Sequence, residues 1–586
     1  MKDKGNQTAK HQTRFAIGSN FPAALFAIAA LGFLLRTANV LMTGTLPTSV
    51  NLIGDAAGYW QWAGRIAEGN WYGNETFYQA PLYPYVLALL RTIGLGIPGV
   101  RMVQSLFGML SVVLLGLSMR HRLGDRVSLI GAAMLATFPP AIFYDGIIQK
   151  ASLAALLLCA LLLSISRLQQ SPSFARAAPV GLFLGLLVLT RENAMLWVPL
   201  LGVWVIWQTW SRGLRYSVVS AAAYVGGLAV ILMPVAARNA SLGGEWSPTT
   251  FQAGPNFYIG NNLSADGIYR PLVHGHETPL YERSDAVSIA EETQGHAMTS
   301  REVSQFWMSR TWTEIKAAPG RWILLMLQKS FMLVNWFEVP DTESLSYYRE
   351  YSIPLMAVRF WNFGVLFSLS MVGLWLSWHQ WRELWIDYAL ILSMAFAIVL
   401  FFILGRYRLP LVPLLIPFAA LGIGGLVQKT IGPKKWLQLR VPLLIIIVST
   451  ALCFMPVHDV SGLNASSEMN VGVAAAEQGN TELAIQMLRR AVRSQPYFAE
   501  CHYNLGRALI QAGKPSQGIV SLQKAIELDS ELPMADFMLG KAFEMRGDMG
   551  PAMHHYQRAS RFSSDRSMSN DALERLRSND AVGTSK

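Results

Sequence analysis

Charge is scarce in this chain. Asp, Glu, Lys and Arg make up 15% of its 586 residues and 52% are apolar, whereas soluble domains carry about 25% charged residues. That balance excludes a soluble multidomain protein and implies a polytopic membrane one. Cysteine is scarcer still. Cys159 and Cys453 lie in or beside apolar segments and Cys501 in a helical repeat. The three offer no disulfide framework and no CxxC metal site, and each reads as a small buried hydrophobe. No small-residue cleavage site follows the first apolar segment, which reads as a retained first helix, not a signal peptide. Acidic residues are outnumbered, the net charge being +11. The excess sits in short loops between apolar segments, so it speaks of orientation in a membrane and not of nucleic acid.

Apolar segments run near 22–46, 101–120, 126–143, 151–167, 177–190, 193–210, 216–236, 355–378, 384–404, 408–428 and 440–456. Several fall short of the ~20 residues of an upright span, so their helices extend past these limits. The fold class is all-α, with about 11–13 crossings. Basic residues cluster in the N-terminus (1–21: Lys2, Lys4, Lys10, Arg14), between the second and third segments (Arg120, Arg122, Arg126), after the sixth (Arg212, Arg215) and before the last (Lys429, Lys434, Lys435, Arg440). Basic loops stay cytoplasmic. The cytoplasmic membrane would then hold residues 22–456, with loops 47–100 and 237–321 and the tail 457–586 on the extracytoplasmic face. Residues 322–337 read as a span or an interfacial helix; a span would reverse everything after it, and the basic cluster at 429–440 argues against one.

Beyond the last segment the pattern becomes polar, alanine-rich and helical. Units 467–500, 501–534 and 535–568 align without gaps, with Gly472, Gly506 and Gly540, Ala474, Ala508 and Ala542, and Gly479, Gly513 and Gly547 at matching points. This resembles the tetratricopeptide repeat, with a helix near 569–578 capping the array. Such an array offers a concave surface to a protein partner; support of the membrane part or self-association is the other reading.

Chemistry concentrates outside the spans. Ile53-Gly54-Asp55-Ala56-Ala57-Gly58-Tyr59-Trp60 puts a lone carboxylate among small and aromatic residues just past the first segment. Asp55 reads as a general base or as the N-cap of an amphipathic helix over 56–68. Arg191, Arg238, Arg406 and Arg408 each stand at the external end of a span, against the positive-inside tendency. A planar guanidinium suits a phosphate; snorkelling or pairing, as of Arg191 with Glu192, is the alternative. In the short loop Tyr144-Asp145-Gly146-Ile147-Ile148-Gln149-Lys150, Lys150 adds positive charge, and an Asp145–Lys150 salt bridge or a helix cap is the bland reading. Loop 237–321 is long enough for a lid or binding loop. Asn256, Tyr258 and Asn261 are candidates for contact with substrate, as are Tyr59, Tyr78, Gln79 and Tyr83; turn formation and an aromatic belt compete. His274, His276 and His296 read as solvated loop residues, and His274-Gly275-His276 leaves a bound cation open.

Asp55, together with Thr190-Arg191-Glu192-Asn193, Ala237-Arg238-Asn239, Gly254-Pro255-Asn256-Phe257-Tyr258, Phe337-Glu338-Val339-Pro340-Asp341 and Gly405-Arg406-Tyr407-Arg408-Leu409-Pro410, resembles the GT-C glycosyltransferases of the family 39 type, which includes protein O-mannosyltransferases and aminoarabinose transferases. The resemblance covers roughly residues 20–455. It implies a GT-C helical bundle that transfers one sugar, with inversion, from a polyprenyl-phosphate carrier in the membrane lipid to an acceptor hydroxyl on the extracytoplasmic face. Asp55 would then be the base, the four arginines and Lys150 would meet the carrier phosphate, and Asp145 would be the family's second acidic residue. The chain departs from the family in Ala56, where the mannosyltransferase branch has an acidic residue, and in Gln79-Ala80-Pro81-Leu82, where the aminoarabinose branch has acidic-Lys-Pro-Pro. No metal ligand set follows, no cofactor is required, and a divalent metal stays open. The repeats point to a protein acceptor. A lipid or cell-envelope glycan acceptor, a non-catalytic scaffold for envelope assembly and a lipid-linked sugar transporter are the alternatives.

Overall fold

A computed structural model describes residues 20–243, 246–273, 279–430, 435–530, 532, 534–561 and 566–583. Helices and the turns between them account for all regular structure among these residues. Seven helices are long and apolar enough to cross a membrane: Phe21–Thr43, Ile97–Ala136, Ala151–Gln170, Glu192–Arg212, Leu214–Gly243, Phe363–Leu400 and Leu411–Gln428; Phe174–Val188 and Gln438–Cys453 are shorter apolar helices. Two of the seven are hairpins. Ile97–Ala136 breaks at Gly124, whose φ of 78° is open to glycine at no steric cost. A Cβ on Gly116 would lie 3.5 Å from that of Ala132, although residues sixteen apart on a straight helix are ~24 Å apart. Phe363–Leu400 reverses through Trp378–Gln380, bringing the Ser377 and Tyr388 hydroxyls to 3.2 Å. With these reversals the helices supply the eleven apolar segments read from the sequence. The segment expected at 355–378 begins later, at Phe363, because Asn362 caps that helix by accepting the Val365 N–H.

Glycines set the closest helix approaches. Gly181 and Gly227 bring Phe174–Val188 against Leu214–Gly243: a Cβ on Gly181 would meet the Tyr224 carbonyl, and one on Gly227 the Ala178 carbonyl.

Helix Pro319–Val334 answers the ambiguity over 322–337. At its start Arg321 donates to the Asn262 and Ala265 carbonyls. At its end the Trp336 N–H donates to the Cys453 carbonyl, at the close of the last apolar helix. Asn261 joins the first end to the Leu400 carbonyl, so both ends lie on one side of the bundle. Ile323, Leu324, Leu327 and Phe331 are exposed while Leu325, Lys329, Met332 and Leu333 are buried, the pattern of a helix running along a surface.

The repeats are three antiparallel helix pairs: Val460–Glu477 with Thr481–Ser494, Ala499–Gln511 with Pro515–Leu528, and Ala535–Arg546 with Met549–Ala559; Arg566–Gly583 follows. Their period is physical. Gly472, Gly506 and Gly540 leave room for Leu488, Leu522 and Tyr556, each sixteen residues on, where a Cβ would lie 2.6, 2.6 and 2.8 Å from the bulky side chain. Gly479, Gly513 and Gly547 take the left-handed turn between the helices, with φ of 76°, 70° and 90°. The first pair docks on the membrane domain. Gln478 donates to the Pro47 carbonyl at 2.9 Å and Asn470 to the Thr342 carbonyl at 3.1 Å, and Arg490 bridges Glu468 and Glu350.

Gly181→Val would force the Phe174–Val188 and Leu214–Gly243 helices apart, at a cost of about 1–3 kcal/mol. A lowered thermal midpoint of the detergent-solubilised protein is the expected result; an unchanged midpoint would mean that the pair can separate freely.

Candidate active site

The polypeptide enters the site at Gly54, whose φ of +56° is the left-handed region that β-carbons disfavour. A Cβ there would also strike the Thr342 side chain. Helix Gly54–Ala67 starts at this point with Ile53 as its N-cap and no side-chain capping bond. Asp55 is thus inside the first turn and not a cap. Its carboxylate instead accepts a charged hydrogen bond from Arg406 Nη1, which also reaches Asp341 Oδ2 at 2.9 Å. One guanidinium serves two carboxylates, with the three side chains 10–27% exposed.

This sharing separates the two acids. Burial pushes Asp55 up, but the charge and hydrogen bond of Arg406, aided by Lys150 and Gln79, outweigh it and hold Asp55 below the usual carboxylate range. At Asp341 burial wins over Arg406, with the charge of Asp55 adding to the rise. Asp55 is thus shifted down and Asp341 up from the usual carboxylate range, the kind of divergence by which paired carboxyls take separate roles.

Two cavities meet here. A polar one of ≈50 Å³ is walled by Asp55, Tyr59, Gln79, Lys150, Gln252, Asn256, Tyr269, Glu282, Asp341 and Arg406. A larger one of ≈410 Å³ lies between Met195, Leu196, Ala253, Phe396, Ala397, Ile398, Leu400 and Phe401, with Lys150 and Arg191 on its wall. Lys150, Gln252, Asn256, Phe402 and Tyr407 border both. Lys150 faces Glu192 at 4.0 Å. Arg191 donates to the Arg406 carbonyl at 2.9 Å and lies over the Tyr407 ring, not against Glu192. Burial lowers the Lys150 pKa, Glu192 opposes this, and the neighbouring Arg191 and Arg406 charges add to the fall. Arg191 is lowered by burial and by Arg406.

Other sequence candidates stand elsewhere. Asp145 is buried against Arg36 of the first helix, Nε to Oδ2 2.6 Å. It faces neither cavity and pairs with Arg36, not Lys150, because Arg36, sunk within the bundle, needs a counter-charge more than a cation in the cavity wall does. Arg408 is buried with Glu338 and donates to the Leu333, Asn335 and Phe337 carbonyls. Arg238 donates to the Tyr72 and Glu75 carbonyls and covers the Phe77 ring at 3.6 Å. Both satisfy irregular backbone and leave no fork for a phosphate. Tyr83 bonds Gln104 at 2.5 Å, Tyr258 packs on Trp307 and Arg310, and Asn261 bonds the Phe257 and Leu400 carbonyls. Tyr78 is buried beside Glu282 but outside the cavity lining. Tyr59, Gln79 and Asn256 do line the polar cavity.

Sequence reasoning passed over Gln252, Tyr269, Glu282 and Asp341. Asp341 sat inside a motif already noted, and its spacing from Pro340 could have marked it. Glu282 carries no local signal. Among the described residues no group of three or more His, Cys, Asp or Glu is placed to hold a metal ion; His274 and His276 lie outside the described residues.

Residues 78–237 match the family described as dolichyl-phosphate-mannose-protein mannosyltransferase, and residues 503–566 match the tetratricopeptide repeat. These matches bear out the resemblance to the GT-C family and the C-terminal repeats. No curated protein matches the chain. Among solved structures it is similar to the oligosaccharyltransferase of Archaeoglobus fulgidus. The match to the apo form has 14% identity and a TM-score of 0.38, covering 74% of this chain and 56% of that one. The form tethered to an acceptor peptide with the NVT sequon has 13% identity and a TM-score of 0.36, covering 79% and 59%. It is also similar to ArnT from Cupriavidus metallidurans bound to undecaprenyl phosphate, with 14% identity and a TM-score of 0.39, covering 93% and 81%. The chain thus spans little more than half the length of the archaeal enzyme.

Asp145→Asn leaves Arg36 buried without its counter-charge, at a cost of about 3–5 kcal/mol. The folded fraction in detergent should fall, and any activity lost should fall in proportion to it. A variant that stays folded while its donor KM rises would return Asp145 to the substrate.

Proposed function

We propose that this chain is an inverting membrane glycosyltransferase that moves a sugar from a polyprenyl-phosphate donor to an acceptor hydroxyl. The observation that carries this reading is an ionised carboxylate, Asp55, in a small polar cavity that adjoins a larger apolar one, with Lys150 on the wall of both, Arg406 on the polar side and Arg191 on the apolar side. The linings suit a lipid-linked sugar: the apolar cavity takes the first part of the prenyl tail, Lys150, Arg191 and Arg406 the phosphate, and the polar cavity the sugar.

The chemistry follows from that placement. The acceptor oxygen attacks the anomeric carbon from the face opposite the phosphate, and Asp55 takes the hydroxyl proton as the new C–O bond forms. The bond from the anomeric carbon to the phosphate oxygen breaks, and its electron pair leaves with the carrier. Fixed cations at the junction offset the growing charge on the phosphate. Arg406 links the halves: phosphate oxygens drawing on its fork loosen its hold on Asp55, which raises the basicity of that carboxylate when the donor is in place.

The site is read as extracytoplasmic because Arg120, Arg122, Arg126, Arg212 and Arg215 sit at the helix ends away from the cavity, and basic loops remain inside. The repeats dock beside Thr342, a residue of the cavity wall, so a protein bound to them would stand on the face where the acceptor enters. That supports a protein acceptor.

Asp55→Asn is the direct test. In membranes supplied with extracted polyprenyl-phosphate sugars, wild type should consume a donor and the variant should lose about 10²–10⁴-fold in rate at unchanged protein level. Equal consumption by both would remove Asp55 as base. No consumption by either, across a broad donor panel, would favour a membrane-anchored scaffold.

A further inference from the structure

Glu282 is the one acidic side chain of the polar cavity that belongs to the long loop and is bound to none of the cations at the junction. It lies in the first turn of helix Pro279–Gln294. That helix is fixed from behind: Ala286 and Ala290 pack with Val303 and Trp307, Trp307 Nε1 donates to the Ala286 carbonyl at 2.9 Å, and Arg283 turns away to Glu75 at 2.5 Å. Glu282 thereby lines the same cavity as Asp55.

We infer, on the glycosyltransferase reading above, that the polar cavity takes an uncharged polyhydroxylated sugar, with Glu282 binding its hydroxyls and excluding acidic sugars. The wall is made for hydroxyls. Gln79, Gln252, Asn256 and Tyr269 each donate and accept, as a sugar hydroxyl does, and Asn256 Oδ1 is buried with no partner among the described residues. A uronate would need a free cation. Arg406 is held by Asp55 and Asp341, and on the reading above Lys150 and Arg191 are taken by the donor phosphate. The charge of a uronate would also meet Asp55, held ionised in the same cavity.

Burial pushes Glu282 up to about 7, Asp55 and Asp341 add to the rise, and Arg406 and Lys150 oppose it. Tyr269 of the same loop and Tyr78 of the first external loop lie beside it, and the neighbouring Arg283 is spent on Glu75. A sugar ring that displaces water from this carboxyl deprives its ionised form of solvation, so sugar and proton bind together. Below pH 7 Glu282 already holds the proton. Above it, donor binding must recruit one, and KM rises.

The test measures kcat and KM of the full-length enzyme in membranes, with polyprenyl-phosphate hexose and polyprenyl-phosphate hexuronate, between pH 6 and 8. The hexose KM should rise about tenfold across that range, as for a group titrating near 7, and the hexuronate should be a poor donor throughout. Glu282→Gln keeps a donor and an acceptor but cannot ionise, so the pH rise in KM should vanish. Glu282→Ala should raise KM about tenfold at every pH with a smaller change in kcat. Equal KM for the two wild-type donors, or an undiminished pH rise in Glu282→Gln, would overturn the inference alone. A wild type that consumes neither donor would overturn the transferase reading on which it stands.

Discussion

The site depends on one arginine held between two carboxylates. Asp55, Asp341 and Arg406 come from three separate segments of the chain, and a buried Arg is tolerated only where counter-charges and acceptors are fixed around it. The protein meets that condition by bracing the irregular stretch 401–404 and the four-residue helix Gly405–Arg408 that carries Arg406. The Ile403 N–H donates to the Gly267 carbonyl at 2.8 Å and the Gly405 N–H to the Val339 carbonyl at 2.9 Å. Lys329, buried below, donates to the Gly260 and Phe401 carbonyls at 2.6 Å. Arg408 and Arg191 bond three further carbonyls and that of Arg406 itself. Irregular backbone at the edge of a membrane must find partners inside the protein, and these long cationic side chains provide them.

That need explains what the sequence could and could not disclose. Hydropathy placed the spans and the 34-residue period placed the repeats, because both are averages over many residues. Asp55 was legible since a carboxylate between glycines and aromatics at the end of a span has few other uses. Among the external arginines the residue type was a poor guide. A guanidinium that faces a cavity and one that caps carbonyls look alike in one dimension, and only side-chain direction tells Arg406 from Arg408. Arg36 went unremarked because a single charge disappears in the mean hydropathy of Phe21–Thr43, yet it decides the fate of Asp145. Glu282 was hidden for the opposite reason: its segment is polar throughout, and only the fold of the loop turns one of its several acids inward.

The repeats are joined to this chemistry through a shared segment and are not merely tethered to it. Thr342 gives its carbonyl to Asn470 of the first repeat helix while its side chain sits against Gly54, the residue before Asp55. Its neighbour Asp341 holds Arg406, and Glu350, a few residues on, pairs with Arg490 of the repeat. Residues 341–350 are thus both a wall of the cavity and the seat of the repeat array. Gly54 leaves no slack, since even a methyl group there would strike Thr342.

Electrostatics at the junction also argue for an anionic ligand. Arg406 is paired with two carboxylates. Lys150 and Arg191 are not: each is lowered first by burial and then by like charge, and Glu192 at 4.0 Å only partly offsets this for Lys150. Two under-neutralised cations beside an apolar cavity form a positive site in a medium of low dielectric, where an anion gains far more than in water. A phosphodiester would relieve their repulsion and its own desolvation together, while its prenyl chain fills the apolar space next to it. A sugar alone would satisfy the polar cavity and leave the cations strained; a free lipid would do the reverse. A molecule that joins tail, phosphate and sugar answers all three parts of the site, and for that reason a lipid-linked sugar suits it better than either component apart.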